Sequence, residues 1–196
     1  MAMPAYADLI SRVHFESGAL ARSPGHVRQR YPTPAAAMKA TLHYLQPLPE
    51  ALIARWLAED RGHIIIQASQ HGFELGKSRF RRRWLEDVAW VRITLLVDDP
   101  IDYLMPVAAL LVSLIGWGST PDQATQPWQD FVRGVRSSFD AGYGRRDEAR
   151  ADVDAYLAEG IAWYLVDRRG LNITNPRLEK LLRATVFNEA WCRRLF

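Results

Sequence analysis

Hydrophobic residues recur every three or four positions along most of the chain, which predicts a largely helical protein. The clearest series, spaced as one face of an amphipathic helix, is Trp128, Phe131, Val132, Val135 and Phe139. Similar series end at Gly116 and Gly170, and Asn175-Pro176 has the residue types of a helix start. We therefore expect a core helix before Gly116 and helices throughout 118–196.

The first third of the chain has the same character. Thr33-Pro34 and Pro49 are start signals for two helices. Before them, Pro4 suits a first helical turn, and the apolar positions that follow share one helical face: Tyr6, Leu9, Ile10 and Val13. These patterns predict helices throughout 1–62.

The middle of the chain changes period. The β-branched run 64–66 is too short for a helix, and 73–80 and 91–97 are the next candidate strands, the last closed by Asp98-Asp99-Pro100. Residues 83–90 either form a helix or extend the third strand. We expect a small antiparallel sheet at about 63–97, which makes the fold class α+β.

Length and composition describe a folded protein of one domain. The 196 residues are 48% hydrophobic and 24% charged, which are values typical of globular chains. This domain divides into a helical 1–62, a sheet with its core helix over 63–117, and a helical 118–196. The apolar stretch 103–117 is interrupted by Pro106 and is shorter than a membrane span, so no membrane contact is expected.

Cysteine usage and the N-terminus bear on the compartment. Cys192 is the single cysteine, so an intramolecular disulfide is excluded, and the first residues lack the charge and apolar pattern of a leader. We expect a cytoplasmic protein.

Charge is unevenly distributed along the chain. Residues 61–96 hold seven Lys and Arg against three Asp and Glu, whereas 97–124 hold four Asp and no Lys or Arg. The basic residues are concentrated in one run with interleaved aromatic residues, whose candidate contact residues are Lys77, Arg79, Arg81, Arg82, Arg83 and Trp84. Such a run could bind phosphates and stack on bases.

Two other interpretations of the basic run are open, and we favour both over phosphate binding. Charged side chains along a strand edge prevent edge-to-edge aggregation without binding anything. Alternatively, the arginines pair with the acidic stretch 97–124 of the same chain or of a neighbouring subunit.

Asp98, Asp99 and Asp102 are the candidate metal ligands, because carboxylates at a strand end can bind a hard divalent cation. Turn and helix-cap chemistry around Pro100 explains the same residues, and we favour that explanation. Glu74 and Lys77 could complete a metal-dependent nuclease site, but their spacing is one residue too long for the usual Glu-X-Lys arrangement.

Catalytic motifs are absent from the sequence. Its histidines lack the i, i+3 or i, i+4 spacing of a zinc site on a helix, and it contains no glycine-rich phosphate loop. Ser69, His71 and Asp87 could make a triad only in the sense that most chains contain such residues. Cys192 beside Arg193 could be a reactive thiol, although packing is the more common role of such a cysteine. We expect no cofactor and favour a non-enzymatic protein.

Residues 47–117 carry a family resemblance. A helix start at 47–52, an apolar strand at 63–68, a strand at 91–97 closing on Asp98, and a helix from Asp102 follow one another. This order resembles the tail-completion, or tail-terminator, proteins of contractile-tailed phages. The resemblance implies a structural role in which a helix packs on a sheet and subunits assemble into a ring that caps the tail tube. It also implies an alternative location, in an assembled phage-like particle.

These observations favour a structural or interaction protein that binds a protein partner or its own copies. The seven tryptophans add support, because tryptophan is enriched at interfaces as well as in cores. The alternative is a protein that binds nucleic acid or processes it with a metal ion, using the basic run and the three aspartates.

Overall fold

Helices and one short strand form the N-terminal third in the computed structural model, which describes residues 4–118 and 125–196. The helix starts predicted at Thr33-Pro34 and Pro49 are confirmed. The prediction of helices throughout 1–62 is wrong near Val13, where a 3₁₀ turn leads into a strand because Val13 pairs with a distant segment. The elements are α1 (Pro4–Asp8), β1 (Val13–Phe15), α2 (Gly25–Arg30), α3 (Pro34–Tyr44) and α4 (Glu50–Ala58).

The sheet is mixed rather than antiparallel. Strands β2 (His63–Gln67), β3 (Gly72–Phe80) and β4 (Arg83–Arg92) join β1 in the order β1-β2-β4-β3. β2 runs parallel to both of its neighbours, β1 and β4, and β3 forms an antiparallel hairpin with β4. The prediction of an antiparallel sheet is therefore wrong for β2, because parallel pairing joins distant segments and has no local turn signature. The α+β class is confirmed.

The third predicted strand ends earlier than expected. β4 includes 83–90, so this segment extends the strand, whereas the end of the apolar run forms the short helix α5 (Leu95–Asp98). Ile93 and Leu96 are both buried, and the Leu96 amide donates to the Ile93 carbonyl at 3.2 Å. A short apolar run fits a strand or a helical turn, and here the i, i+3 pair packs into the core.

The C-terminal part is helical, as predicted, over its described residues. The predicted core helix is α6 (Pro100–Leu114), and the Asp99 side chain accepts a hydrogen bond from the Asp102 amide at its start. Within 4–118 and 125–196, no helix is long and apolar enough to cross a membrane. The remaining helices are α7 (Gln126–Asp140), α8 (Asp147–Ala151), α9 (Val153–Thr174), α10 (Pro176–Ala184) and α11 (Glu189–Leu195).

Helix α9 does not end at Gly170 as predicted. Asp167 has non-helical dihedral angles (φ −147°, ψ 77°), and its carboxylate accepts a hydrogen bond from the Gly170 amide at 2.9 Å. The helix therefore restarts at this kink and continues to Thr174. The predicted start at Asn175-Pro176 is confirmed, because the Asn175 side chain accepts from the Leu178 amide at 3.1 Å.

The two faces of the sheet are covered differently. On one face, Ile64, Ile66 and Ala89 belong to the main core, which α6 shares with β4 and α9. On the other face a smaller cluster consists of strand residues: Ile65, Val88 and Trp90, with Phe80 and Leu85 packed against them. Helices therefore cover the first face, and the hairpin's own side chains cover the second.

Candidate functional site

The predicted contact residues lie at the tip of the β3–β4 hairpin, and all of them are exposed. In chain order, through β3, the two-residue turn and the start of β4, they are Lys77, Arg79, Arg81, Arg82, Arg83 and Trp84. Exposure is what both the strand-edge and the partner-contact interpretations require.

Strand alternation divides these residues between two faces of the hairpin. Arg79 is opposite Trp84 across the strands, on the face that carries the helices, and Phe80 is opposite Arg83 on the other face. The run therefore does not form one continuous basic patch. This division between two faces follows from the sequence once the turn is known, because two strands joined by a two-residue turn fix which side chains share a face.

A β-bulge bends the hairpin between its base and its tip. The register shifts between Glu74 and Lys77, and Gly76 and Asp87 both have positive φ (87° and 55°). The Asp87 carboxylate is 2% exposed, accepts a hydrogen bond from the Gly76 amide at 2.7 Å and pairs with Arg61 at 2.9 Å. Asp87 thus holds the bulge from inside the fold, a role that sequence reasoning missed.

The tip arginines do not pair with the acidic stretch of the same chain. Over 4–118 and 125–196, none of the five basic residues of the run forms a salt bridge. Asp98 instead contacts His26 at 3.1 Å, and Asp102 contacts Arg146 at 2.6 Å. The predicted pairing within the chain is therefore wrong for the described part of 97–124, whose residues 119–124 lie outside the description. Pairing with a neighbouring subunit stays a prediction.

A cleft of about 900 Å³ lies beside the hairpin, between the start of β3, helix α6 and the segment that leads into α9. Its apolar lining comes from three parts of the chain: Phe73, Leu75, Met105, Pro106, Trp117 and Ala158. Leu75 is 74% exposed although it lines the cleft. The cleft and the helix-side face of the hairpin therefore form one continuous surface.

A charged network lies along one wall of this cleft. The Asp102 carboxylate is 2.6 Å from the Arg146 guanidinium and 3.7 Å from His71 Nε2, and Arg146 is 3.9 Å from buried Glu159. Burial lowers the pKa of His71 and raises the pKa of Glu159. These residues come from a loop, α6, the segment before α8 and α9, so no local pattern in the sequence points to the cluster.

Three further carboxylates line the cleft, from α8 and the start of α9. Asp154 accepts a hydrogen bond from Trp117 Nε1 at 2.6 Å, and Asp152 caps the start of α9. The Glu148 side chain is exposed and makes no hydrogen bond or ion pair within the described chain. We call Glu148, Asp152 and Asp154 the acidic rim, and Leu75, Lys77, Arg79 and Trp84 the hairpin surface.

The tryptophans are mostly core residues, which reduces the weight of their number as an argument for partner binding. Trp56, Trp90, Trp128 and Trp191 are each at most 8% exposed, whereas Trp84 is 68% exposed. A tryptophan this exposed, beside Arg79 on a strand, is the compositional feature typical of interfaces.

The three candidate metal ligands have separate roles. Asp98 contacts His26, Asp99 caps α6, and Asp102 pairs with Arg146. No group of three His, Cys, Asp or Glu side chains within the described residues could hold a metal ion. The Asp99 cap matches the chemistry that we favoured around Pro100, whereas Asp98 and Asp102 pair with residues that are distant in the sequence.

The other reactive candidates are also accounted for by local structure. His71 contacts Asp102 rather than Asp87, which pairs with Arg61, so the triad with Ser69 does not assemble. Cys192 is fully buried, and burial raises the pKa of its thiol to about 12, so it remains protonated at neutral pH. Glu74 accepts a hydrogen bond from Gln70 at 3.0 Å and does not face Lys77.

Comparison with known proteins finds no family model, no curated protein and no solved structure that matches the chain.

Proposed function

We propose that the protein is a non-enzymatic assembly protein whose copies associate through the hairpin surface and the acidic rim. The single observation that carries this proposal is Trp84, 68% exposed beside Arg79 on the helix-side face of the hairpin. A large aromatic side chain in this position exposes apolar area to solvent. Burial of that area by a partner contributes a favourable free energy of about 25 cal/mol per Å².

The charges of the same surface favour a second copy as the partner. Lys77 and Arg79 follow Leu75 along β3, beyond the residues that line the cleft, whereas the acidic rim and the apolar residues belong to the lining itself. A surface that is positive at one end and negative at the other complements itself when two copies meet in opposite orientations. Leu75, on the cleft wall and 74% exposed, would be buried near the middle of such a contact.

The symmetry of the assembly connects this proposal to the phage-tail resemblance. A contact in which both copies use the same surface gives a two-fold dimer. A head-to-tail contact between rim and hairpin gives a ring when the rotation between copies closes, and an open filament when it does not. Tail-completion proteins form rings, so ring formation stays a prediction of the resemblance. The mass of a dimer and the mass of a ring would each support association between copies.

Light scattering after size-exclusion chromatography tests the proposal. We expect a mass of at least twice 22.4 kDa at high protein concentration. Leu75→Ser should shift the protein toward the monomer, and Ile173→Ser is the matched control because Ile173 is also 74% exposed but lies at the end of α9. A monomer at every concentration contradicts the proposal, as does equal loss of association in both variants.

A charge exchange makes the test specific for the pair of surfaces. Arg79→Glu and Glu148→Arg should each weaken association, because each places like charges opposite each other. A mixture of the two variants should associate again, since each hairpin then faces an opposite charge. Failure of the mixture to associate, while the wild type does so, would move the interface away from the acidic rim.

Nucleic-acid binding is the alternative, and the cross-strand Arg79–Trp84 pair supports it, since a base can stack on the ring while the guanidinium contacts a phosphate. Affinity for single-stranded DNA or RNA should then fall steeply as salt rises and fall further in Trp84→Ala. Absence of binding at low salt removes this alternative.

A further inference from the structure

The tip of the hairpin encloses a second cavity, on the face opposite the hairpin surface. This tip pocket has a volume of about 490 Å³, and it is lined by His14 from β1 and by hairpin residues: Phe80, Arg81, Arg82, Arg83 and Leu85. Phe80 and Leu85 pack against the small cluster of Ile65, Val88 and Trp90. The floor of the pocket is therefore apolar and fixed by the sheet.

One arginine holds the pocket in shape. Arg81 has φ 58°, its guanidinium donates a hydrogen bond to the Phe15 carbonyl at 2.8 Å, and it lies 5.1 Å from the centre of the Phe80 ring. The turn is thereby tied to β1 across the mouth of the pocket. The guanidinium groups of Arg82 and Arg83 make no hydrogen bond or ion pair within the described residues, so they are available to a ligand.

The lining contains cationic and apolar groups without a carboxylate. Three consecutive arginines repel one another, and no acidic side chain of the described chain pairs with any of them. His14 Nε2 lies 3.1 Å from His63 Nδ1 at the back of the pocket. Burial, followed by the charges of Arg81, Arg12 and Arg83, lowers the pKa of His14.

We infer that the tip pocket binds the phosphate group of a phosphomonoester whose organic part lies on Phe80 and Leu85. Guanidinium groups match phosphate oxygens in geometry and charge, and an anion would relieve the repulsion between the three arginines. The cavity is also larger than inorganic phosphate needs and falls within the range of about 300–1,000 Å³ for small-molecule sites. The apolar floor accounts for the remaining space.

The inference does not rest on the proposed function, because the pocket and the hairpin surface lie on opposite faces of the hairpin. Leu75→Ser should abolish association and leave phosphate binding unchanged, whereas variants of Arg82 and Arg83 should do the reverse. Failure of one proposal is therefore distinguishable from failure of the other.

Calorimetric titration with phenyl phosphate and with inorganic phosphate tests the pocket. Phenyl phosphate should bind more tightly, because its ring adds apolar contact with the floor. The double variant Arg82→Gln, Arg83→Gln should bind it at least tenfold more weakly, since charge-assisted hydrogen bonds are lost. The control is Arg177→Gln, Lys180→Gln, which removes two exposed charges from α10 and should bind normally.

A spectroscopic readout locates the anion. In an NMR titration, phenyl phosphate should raise the pKa of His14, because a bound anion offsets Arg12, Arg81 and Arg83. Two nearby groups also titrate: His63 faces His14, and the charge of Asp60 raises the pKa of His63. His63 and Asp60 are therefore followed in the same experiment or removed by substitution. An unchanged His14 pKa with saturating phenyl phosphate would place the anion elsewhere and overturn the inference.

The same phosphate chemistry occurs at the end of a nucleic-acid strand, and a second comparison separates the two sources. A short oligonucleotide with a 5′-phosphate that competes with phenyl phosphate, when its 5′-hydroxyl form does not, would support the pocket and extend it to strand ends. Equal binding of both oligonucleotides, with no phenyl phosphate binding, would overturn the inference in favour of backbone contacts.

Discussion

The base and the tip of the β3–β4 hairpin belong to one pair of strands but have opposite relations to the fold. At the base, 87–91 are all buried, and Asp87 is tied to Arg61 and Gly76. At the tip, 81–84 are all exposed, and their charges lack carboxylate partners within the described chain. Stability is therefore concentrated in the base, and the side chains of the tip are free to contact other molecules.

Breaking the base should have the largest effect. Asp87→Ala leaves the Gly76 amide and one side of Arg61 without a partner, so we expect a loss of about 3 kcal/mol in the free energy of unfolding. Urea denaturation measures this loss. Glu86→Ala, one residue away and exposed, is the control and should change the free energy by less than about 0.5 kcal/mol. Equal effects of the two variants would remove the distinction between base and tip.

A smaller effect is expected from acid, through His63 in β2. Burial lowers the pKa of His63 from 6.5 to about 4, so between these values the unfolded chain binds a proton that the native protein does not. Stability should therefore fall as the pH drops from 6.5 to 4. Relative to His63→Gln, the wild type should lose about 2 kcal/mol between pH 7 and pH 4.5.

Urea titrations of both proteins at the two pH values measure that difference. His14 and His71 also have lowered pKa values, so part of the acid sensitivity should remain in the variant. Parallel curves for the two proteins would mean that His63 does not titrate in this range.

The smallest effect on stability is expected at the tip. Arg82→Gln with Arg83→Gln should change the free energy of unfolding by less than about 0.5 kcal/mol, because exposed unpaired charges contribute little. Adding Arg81→Gln removes the hydrogen bond to Phe15 and should raise the loss to about 1 kcal/mol. Thermal melting compares the two variants. A loss well above this for the double variant would mean that the tip is part of the folded framework.

Sequence patterns identified the features that depend on local spacing. The helix at 126–140 and the caps at Thr33 and Asn175 follow from residues a few positions apart, and the structure has them. The exposure of the basic run was also predictable from the sequence, because charged residues beside a turn rarely lie in a core.

Features that depend on pairing between distant segments could not be predicted from the sequence. β1 is short, and its hydrogen bonds go to β2 far along the chain, so Val13 looks like part of a helical face until Ile64 is placed beside it. The same holds for His14 and His63, which meet on adjacent strands, and for Asp102 and Arg146 in the cleft. Each of these contacts is a consequence of the sheet order rather than of any motif.

The sheet order also constrains the sequence of events in folding. The β3–β4 hairpin joins adjacent segments and can close within microseconds. Pairing of β2 with β4 joins residues about 25 positions apart, and pairing of β1 with β2 joins residues about 50 positions apart, so we expect β1 to pair last. Strand β1, which leaves the ribosome first, is thus expected to be the last to join the sheet. Until then, the outer edge of β2 and the apolar side of Ile64 and Ile66 are unprotected, and the newly made chain carries its greatest exposure to aggregation.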